Sequence, residues 1–167
     1  MKIAIYPGSF DPVTSGHLNI IRRAANIFDR VIVCVMVNAG KKSPMFSQDE
    51  RVELIRRVTF DLPNVEVDCS GELLAEYARR KGGCVIVKGL RAGSDFENEF
   101  QMAIINRKIN PNLDTMFLTA EPQFMYMSSS MVKELGSYDV ELKDFLPEEI
   151  IPDFKQRIKE LRQGGNQ

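Results

Sequence analysis

Arg30-Val31-Ile32-Val33-Cys34-Val35-Met36-Val37 is a continuous apolar run rich in β-branched residues. Such a run predicts a strand covered on both faces, as in a parallel sheet flanked by helices. Upstream, Ile3-Ala4-Ile5-Tyr6 reads as a shorter strand, and Leu18, Ile20, Ile21, Ala24, Ala25 and Phe28 recur at helical spacing. Downstream the alternation continues. Ser47 with Glu50 three residues on forms a capping box that opens a helix striped by Val52, Leu54, Ile55 and Val58. Val65-Glu66-Val67 predicts a third strand, and Glu72 to Lys81 a helix ended by Gly82-Gly83. Cys84-Val85-Ile86-Val87 is the fourth strand, followed by a helix from about Gly93 to Ile109. Asp114 to Leu118 is the fifth. Ser128-Ser129-Ser130 then precedes a helix from Met131 to about Leu135, and the tail around Leu142 to Leu161 reads as helical.

Strands alternating with helices in this way predict an α/β fold. The expectation is a Rossmann-like, doubly wound, five-stranded parallel sheet with helices on both faces and a C-terminal helical tail. Residues 1–162 are expected to form one domain and 163–167 a frayed tail.

Composition sets the class. The 167 residues are 44% hydrophobic and 27% charged, with a formal net charge of -1, as in an ordinary soluble globular protein. No overall basic excess points to nucleic acid. No apolar run approaches the ~20 residues that span a membrane, and Met1-Lys2 leads into a strand without a signal-peptide core. Cys34, Cys69 and Cys84 are an odd set without CxxC spacing, which suits free thiols in a reducing cytoplasm.

In a doubly wound sheet, ligands bind beyond the carboxyl ends of the strands, at the switch in strand order. The polar stretches after the strands share that rim. The first, Pro7-Gly8-Ser9-Phe10-Asp11-Pro12-Val13-Thr14-Ser15-Gly16-His17, opens a helix. It is expected to offer free backbone N–H groups and a positive dipole end to an anion. His17 is the only histidine; it can be a capping residue or a phosphate donor, and Ser9 adds a hydroxyl. Lys41-Lys42 follows a central strand and suits phosphate as mobile charge. Lys88-Gly89-Leu90-Arg91 brackets another strand end with cations. Arg91 can meet phosphoryl oxygens or pair with Asp95 or Glu97, and Glu99 can orient a basic side chain or a ribose. The serine triplet exceeds what one N-cap requires and can cradle phosphate. Together these stretches are expected to hold a nucleoside triphosphate. HExxH, GxSxG, GxxxxGK[ST] and GxGxxG patterns are absent.

The motif from Tyr6 to His17 resembles the (T/H)xGH signature of the nucleotidylyltransferase superfamily, with Thr14 at its first position. Lys-Lys-Ser-Pro-Met-Phe at 41–46, Lys-Gly-Leu-Arg at 88–91, Asp-Phe-Glu-Asn-Glu at 95–99 and Ser-Ser-Ser-Met-Val-Lys-Glu at 128–134 follow in order. With these, the chain from Lys2 to about Pro147 is similar to the bacterial phosphopantetheine adenylyltransferases. The resemblance implies adenylyl transfer from ATP to 4'-phosphopantetheine with Mg2+, giving dephospho-coenzyme A and pyrophosphate, the penultimate step of coenzyme A synthesis. Attack would be direct and in line, without a covalent enzyme intermediate.

The resemblance also assigns roles. His17 would stabilise the pentacoordinate α-phosphate, and Ser9 would touch the phosphates of both substrates. Lys41 or Lys42 would engage the transferred phosphate. ATP contacts would come from Phe10, Gly89, Leu90, Arg91, Glu99 and the loop Phe124, Met125, Tyr126, Met127, Ser128, Ser129 and Ser130. Lys88, at a position that is often arginine, would meet the acceptor, and Leu73 and Leu74 would line its pantetheine arm. A homohexamer and coenzyme A as feedback ligand are further implied.

Overall fold

Strand β2 (Arg30–Met36) forms where the apolar run predicts it, and its interior residues are buried. It pairs in parallel with β1 (Ile3–Gly8) on one side and β3 (Val65–Ser70) on the other. Strands β4 (Val85–Leu90) and β5 (Asp114–Thr119) extend the sheet beyond β1, in the order β3-β2-β1-β4-β5. The helices are α1 (Ser15–Ile27), α2 (Gln48–Val58), α3 (Leu74–Lys81), α4 (Gly93–Ile109), α5 (Ser129–Gly136) and α6 (Ile151–Gly164). This computed structural model describes residues 1–37, 40, 43–83 and 85–164, with Gly93 and Ser94 described by backbone alone.

Alternation along the strands divides the core. Ala4, Tyr6, Val31, Val33 and Val35 pack with Ile21 of α1, Ile55 of α2, Val132 of α5 and Phe154 of α6. Ile5, Ile32, Cys34 and Ile86 face the other way, onto Ala75, Tyr77 and Ala78 of α3 and Leu113. Helices thus cover both faces, and each fully buried Ile, Val or Phe contributes on the order of 1.5–3 kcal/mol.

Three local expectations need correction. β3 runs to Ser70, well past Val67, because an edge strand can show Glu66 and Asp68 to solvent while Val65 and Val67 pack inward. α3 begins at Leu74 rather than Glu72, since the Glu72 N–H donates to Ser70 Oγ (3.0 Å) in a local turn. The tail is not helical from Leu142: Phe145 and Leu146 both donate to the Leu142 carbonyl in one tight turn (2.9 Å each), and α6 starts after Pro147. Cys84 and the last three residues lie outside the described residues.

The strand order places the ligand crevice. The chain steps outward from β1 through β2 to β3, then returns to β4 on the opposite side of β1. The connections leaving β1 and β4 therefore diverge, and the gap between them opens at the strands' carboxyl ends.

Candidate functional site

A cavity of about 340 Å3 sits at that gap, within the range of small-molecule sites. Its walls come from the end of β1 and the turn after it, from β4, from the start of α4 and from the loop into α5. Ser9, Phe10, His17, Lys88, Gly89, Arg91, Glu99, Phe124, Met127 and all three serines 128–130 line it.

The turn after β1 is held by packing. Phe10, 1% exposed and at φ 47°, sets its ring edge-on to His17 (centroids 5.0 Å) and to Tyr6 (5.3 Å). Gly8 is required beneath it, because a Cβ there would lie 3.0 Å from the Phe10 ring. Arg51 of α2 fixes the turn from behind by donating to the Ser9 carbonyl (2.8 Å).

His17 is the third residue of α1 and part of its cap. Its N–H donates to Thr14 Oγ1 (3.2 Å), while its ring Nδ1 accepts from the Thr14 N–H (3.0 Å). An Nδ1 that accepts a backbone N–H leaves the proton of a neutral imidazole on Nε2. Burial, with Arg91 and Lys88 nearby, lowers the imidazole pKa to about 4, so the neutral ring is the form present at pH 7. His17 thus offers one directed N–H donor and no positive charge.

The expectation of open backbone N–H groups at the start of α1 is not met. The Ser15 N–H donates to the Phe145 carbonyl (2.9 Å), the Gly16 N–H to the Met127 sulfur (3.2 Å), and the His17 N–H to Thr14. Remote partners occupy the first two donors of that turn, and the helix's own N-cap the third. α5 differs. Ser128 is its N-cap, accepting from the Met131 N–H (3.1 Å), and Ser129 Oγ donates to the Pro12 carbonyl (2.8 Å). The Ser129 and Ser130 N–H groups have no partner among the described residues.

The charged groups are paired. Lys88 lies 3.2 Å from Glu99, and Arg91 pairs with Asp95 (3.1 Å) while donating to the Met127 carbonyl (2.6 Å). Arg91, just ahead of α4, therefore takes the Asp95 partner that the sequence left open, and Glu99 orients a basic side chain. The lining cations Lys88 and Arg91 are matched by the lining carboxylates Asp95 and Glu99. Among the described residues no cluster of acids, His or Cys could hold a metal, and both lining carboxylates are already in ion pairs. These side chains do not form a protein-built Mg2+ site.

Other expected residues lie elsewhere. Leu90, Met125 and Tyr126 do not line the cavity; Met125 and Tyr126 are exposed and Leu90 ends β4. Leu73 caps α3 and is 55% exposed. Leu74 borders a smaller cavity of about 130 Å3 that shares Lys88 and Glu99 with the main one. Lys41 and Lys42 lie outside the described residues. Tyr6 and Asn19 line the cavity without having been singled out in the sequence. The Tyr6 ring is buried, its hydroxyl has no hydrogen-bond partner among the described residues, and burial raises its pKa far above 10, keeping it a donor. Its only signal was its place at the carboxyl end of a strand.

Comparison with known proteins gives the context. A family model described as cytidylyltransferase-like matches residues 5–135. The chain is 50% identical over 159 residues to a phosphopantetheine adenylyltransferase of Caldanaerobacter subterraneus subsp. tengcongensis, covering 95% of this chain and 99% of that protein. A Clostridium botulinum (strain 657) protein of the same name is 50% identical over 163 residues, covering 98% and 99%. A Plasmodium falciparum nicotinic acid mononucleotide adenylyltransferase complexed with NaAD superposes with a TM-score of 0.63 at 15% identity, covering 96% of each chain. A lipopolysaccharide core biosynthesis protein from Thermoplasma volcanium gives 0.54 at 18% identity, covering 72% of this chain and 97% of that one. At those identities the two structures show a shared fold alone. The match to the family model and the half-identical relatives spanning nearly the whole length are of another order: the chain belongs to the cytidylyltransferase-like family and, within it, to the phosphopantetheine adenylyltransferases.

Proposed function

We propose that the chain transfers the adenylyl group of ATP to the phosphate of 4'-phosphopantetheine, giving dephospho-coenzyme A and pyrophosphate. Full-length similarity to phosphopantetheine adenylyltransferases names the acceptor. The observation that carries the chemistry is the neutral His17, with Nδ1 occupied and Nε2–H left as a donor on a cavity wall.

An oxygen of the acceptor phosphate attacks the α-phosphorus of ATP in line. The new P–O bond forms as the bond to the β-phosphate oxygen breaks, and pyrophosphate leaves with that electron pair. No covalent enzyme intermediate forms. His17 Nε2–H donates to a non-bridging α-phosphate oxygen, where charge builds in the transition state, and a donor so placed contributes on the order of 3–4 kcal/mol. Ser9 contacts both phosphates. The open Ser129 and Ser130 N–H groups take the triphosphate, with Ser128 and Phe10, Gly89, Arg91, Glu99, Phe124 and Met127 completing the ATP site. Lys88 serves the acceptor, with Leu74 at the adjoining smaller cavity that shares Lys88. Among the described lining residues the cations and carboxylates balance, and the further positive charge that would favour two polyanionic substrates is assigned to Lys41 or Lys42. Mg2+ would enter with the triphosphate and offset part of its charge; the lining carboxylates Asp95 and Glu99, both ion-paired, would not supply its ligands.

The same reading includes a homohexamer, a cytoplasmic setting and coenzyme A as feedback ligand. Self-association is supported by α4, where Phe96, Phe100, Ile104 and Ile105 are each close to half exposed. No helix among the described residues is long and apolar enough to cross a membrane.

Pyrophosphate release decides the matter. ATP should turn over with 4'-phosphopantetheine and not with nicotinamide mononucleotide, and CTP with glycerol 3-phosphate should be inert. Tight ATP binding without turnover on any acceptor would leave a nucleotide-binding protein rather than a transferase.

A further inference from the structure

Asp11 does not line the cavity and is only 6% exposed, yet it joins three segments that build the site. Its Oδ1 accepts from the Phe46 N–H (2.8 Å) and its Oδ2 from the Met45 N–H (2.8 Å) and Lys133 Nζ (3.0 Å). Met45 and Phe46 close the loop that contains Lys41 and Lys42, and Lys133 lies one turn beyond the cavity-lining serines of α5. Asp11 itself stands between Ser9 and His17. Both carboxylate oxygens are engaged, and none of their donors belongs to a sheet strand.

The far side of the same segment is also held. Arg157 of α6 donates to the Met45 carbonyl (2.6 Å) and lies over the Phe46 ring (5.0 Å). Residues 45–46 are thus gripped through N–H groups by Asp11 and through a carbonyl by Arg157. Charge-assisted bonds to a buried carboxylate are short and directional, and a fully satisfied buried hub rigidifies what it touches.

We propose that Asp11 is a positioning residue for the transfer reaction. Its carboxylate sets the spacing between the Ser9–His17 turn, the end of the lysine loop and the first turns of α5. This rests on reading the cavity as the adenylyl-transfer site. Asp11 acts through its neighbours and touches neither substrate. A displacement of about 1 Å between groups that must act together can lower a rate by ~100-fold.

Asp11→Asn is the test. Its NH2 must face either the Phe46 N–H or both the Met45 N–H and Lys133, donor against donor, and in either orientation the negative charge opposite Lys133 is lost. The full-length variant, assayed well below its own melting temperature, should lose about 10- to 100-fold in kcat with the KM for ATP changed less than about threefold. Leu113→Ala, in the buried core at the opposite end of β5, should lower the melting temperature and keep kcat. In Asp11→Asn/Lys133→Met the uncompensated cation is gone, so melting temperature should recover relative to the single variant while kcat stays low. Amide hydrogen exchange at Met45 and Phe46 should rise at least about tenfold in both Asp11 variants. Recovery of kcat together with melting temperature, an equal kcat loss in Leu113→Ala, unchanged turnover in Asp11→Asn, or unchanged exchange at both amides would each overturn the proposal. Failure of the wild-type chain to use 4'-phosphopantetheine would instead overturn the functional reading, and the exchange measurement judges Asp11 independently of it.

Discussion

Two helices bring their first turns to one cavity in opposite states. At α1 the donors of Ser15, Gly16 and His17 are all taken, by Phe145, Met127 and Thr14. At α5 the Ser129 and Ser130 N–H groups have no described partner. A helix start is therefore not an anion site by virtue of being a helix start. It becomes one only where no other part of the chain reaches its N–H groups first. The two helices accordingly present different chemistry: α1 offers a side-chain donor on an imidazole fixed by its own cap, and α5 offers bare backbone.

The largest test of this division falls on α1. His17→Ala should lower turnover several hundredfold or more, with ATP affinity measured by calorimetry close to normal. Unchanged turnover would remove the imidazole from the chemistry. Next comes a matched pair of substitutions. Proline is tolerated at the first helical position, where it deletes one N–H. Ser129→Pro, judged against Ser129→Ala to separate out the lost bond to Pro12, should weaken ATP binding about tenfold. Ser15→Pro should lower thermal stability through loss of the Phe145 bond and leave ATP affinity alone. Equal effects on ATP at both helices would erase the distinction drawn between them.

Smaller effects come from the cap. The folded His17 imidazole titrates near 4 against an ordinary 6.5. Above pH 6.5 it is neutral folded or unfolded; as pH falls from 6.5 towards 4 the unfolded chain gains the proton first, so stability declines through that window. Urea unfolding across the window should show a shallower decline for His17→Asn. An identical slope would mean that burial does not hold the ring neutral. Thr14→Ala removes the hydroxyl that caps the helix and should cost about 1 kcal/mol in the same measurement. Smallest is Met127→Leu, which replaces a sulfur acceptor by a methyl of similar volume and should cost less than the loss of the Thr14 cap.

Sequence carried the architecture because the buried strands are covered on both faces. The run at Arg30–Met36 needs no context to be read, and the alternation of strands and helices around it puts the crevice at one rim. β3 is longer than its apolar pattern indicates because an edge strand alternates, and Asp68 and Ser70 look like loop. The motifs on the rim could be collected in the same way: most of the expected residues line one cavity. What could not be read was competition between donors. The Gly16 N–H is closed by a residue 111 positions away, and nothing near Gly16 in the chain announces it. The pairing of Arg91 with Asp95 was visible as an option, since i,i+4 spacing allows it, but not the second bond to the Met127 carbonyl. Leu73 and Leu74 show the converse: neighbours in sequence, one is exposed at a helix cap and the other partly buried beside a second cavity.

The bond from Ser15 to the Phe145 carbonyl bears on how the protein is made. On a chain growing from the ribosome, Phe145 is added 130 residues after Ser15 (15 to 145). The phosphate turn and α1 therefore wait on a distant segment before this bond can form. A product cut short before residue 145 lacks the acceptor for Ser15, and its turn differs at that point from that of the folded chain.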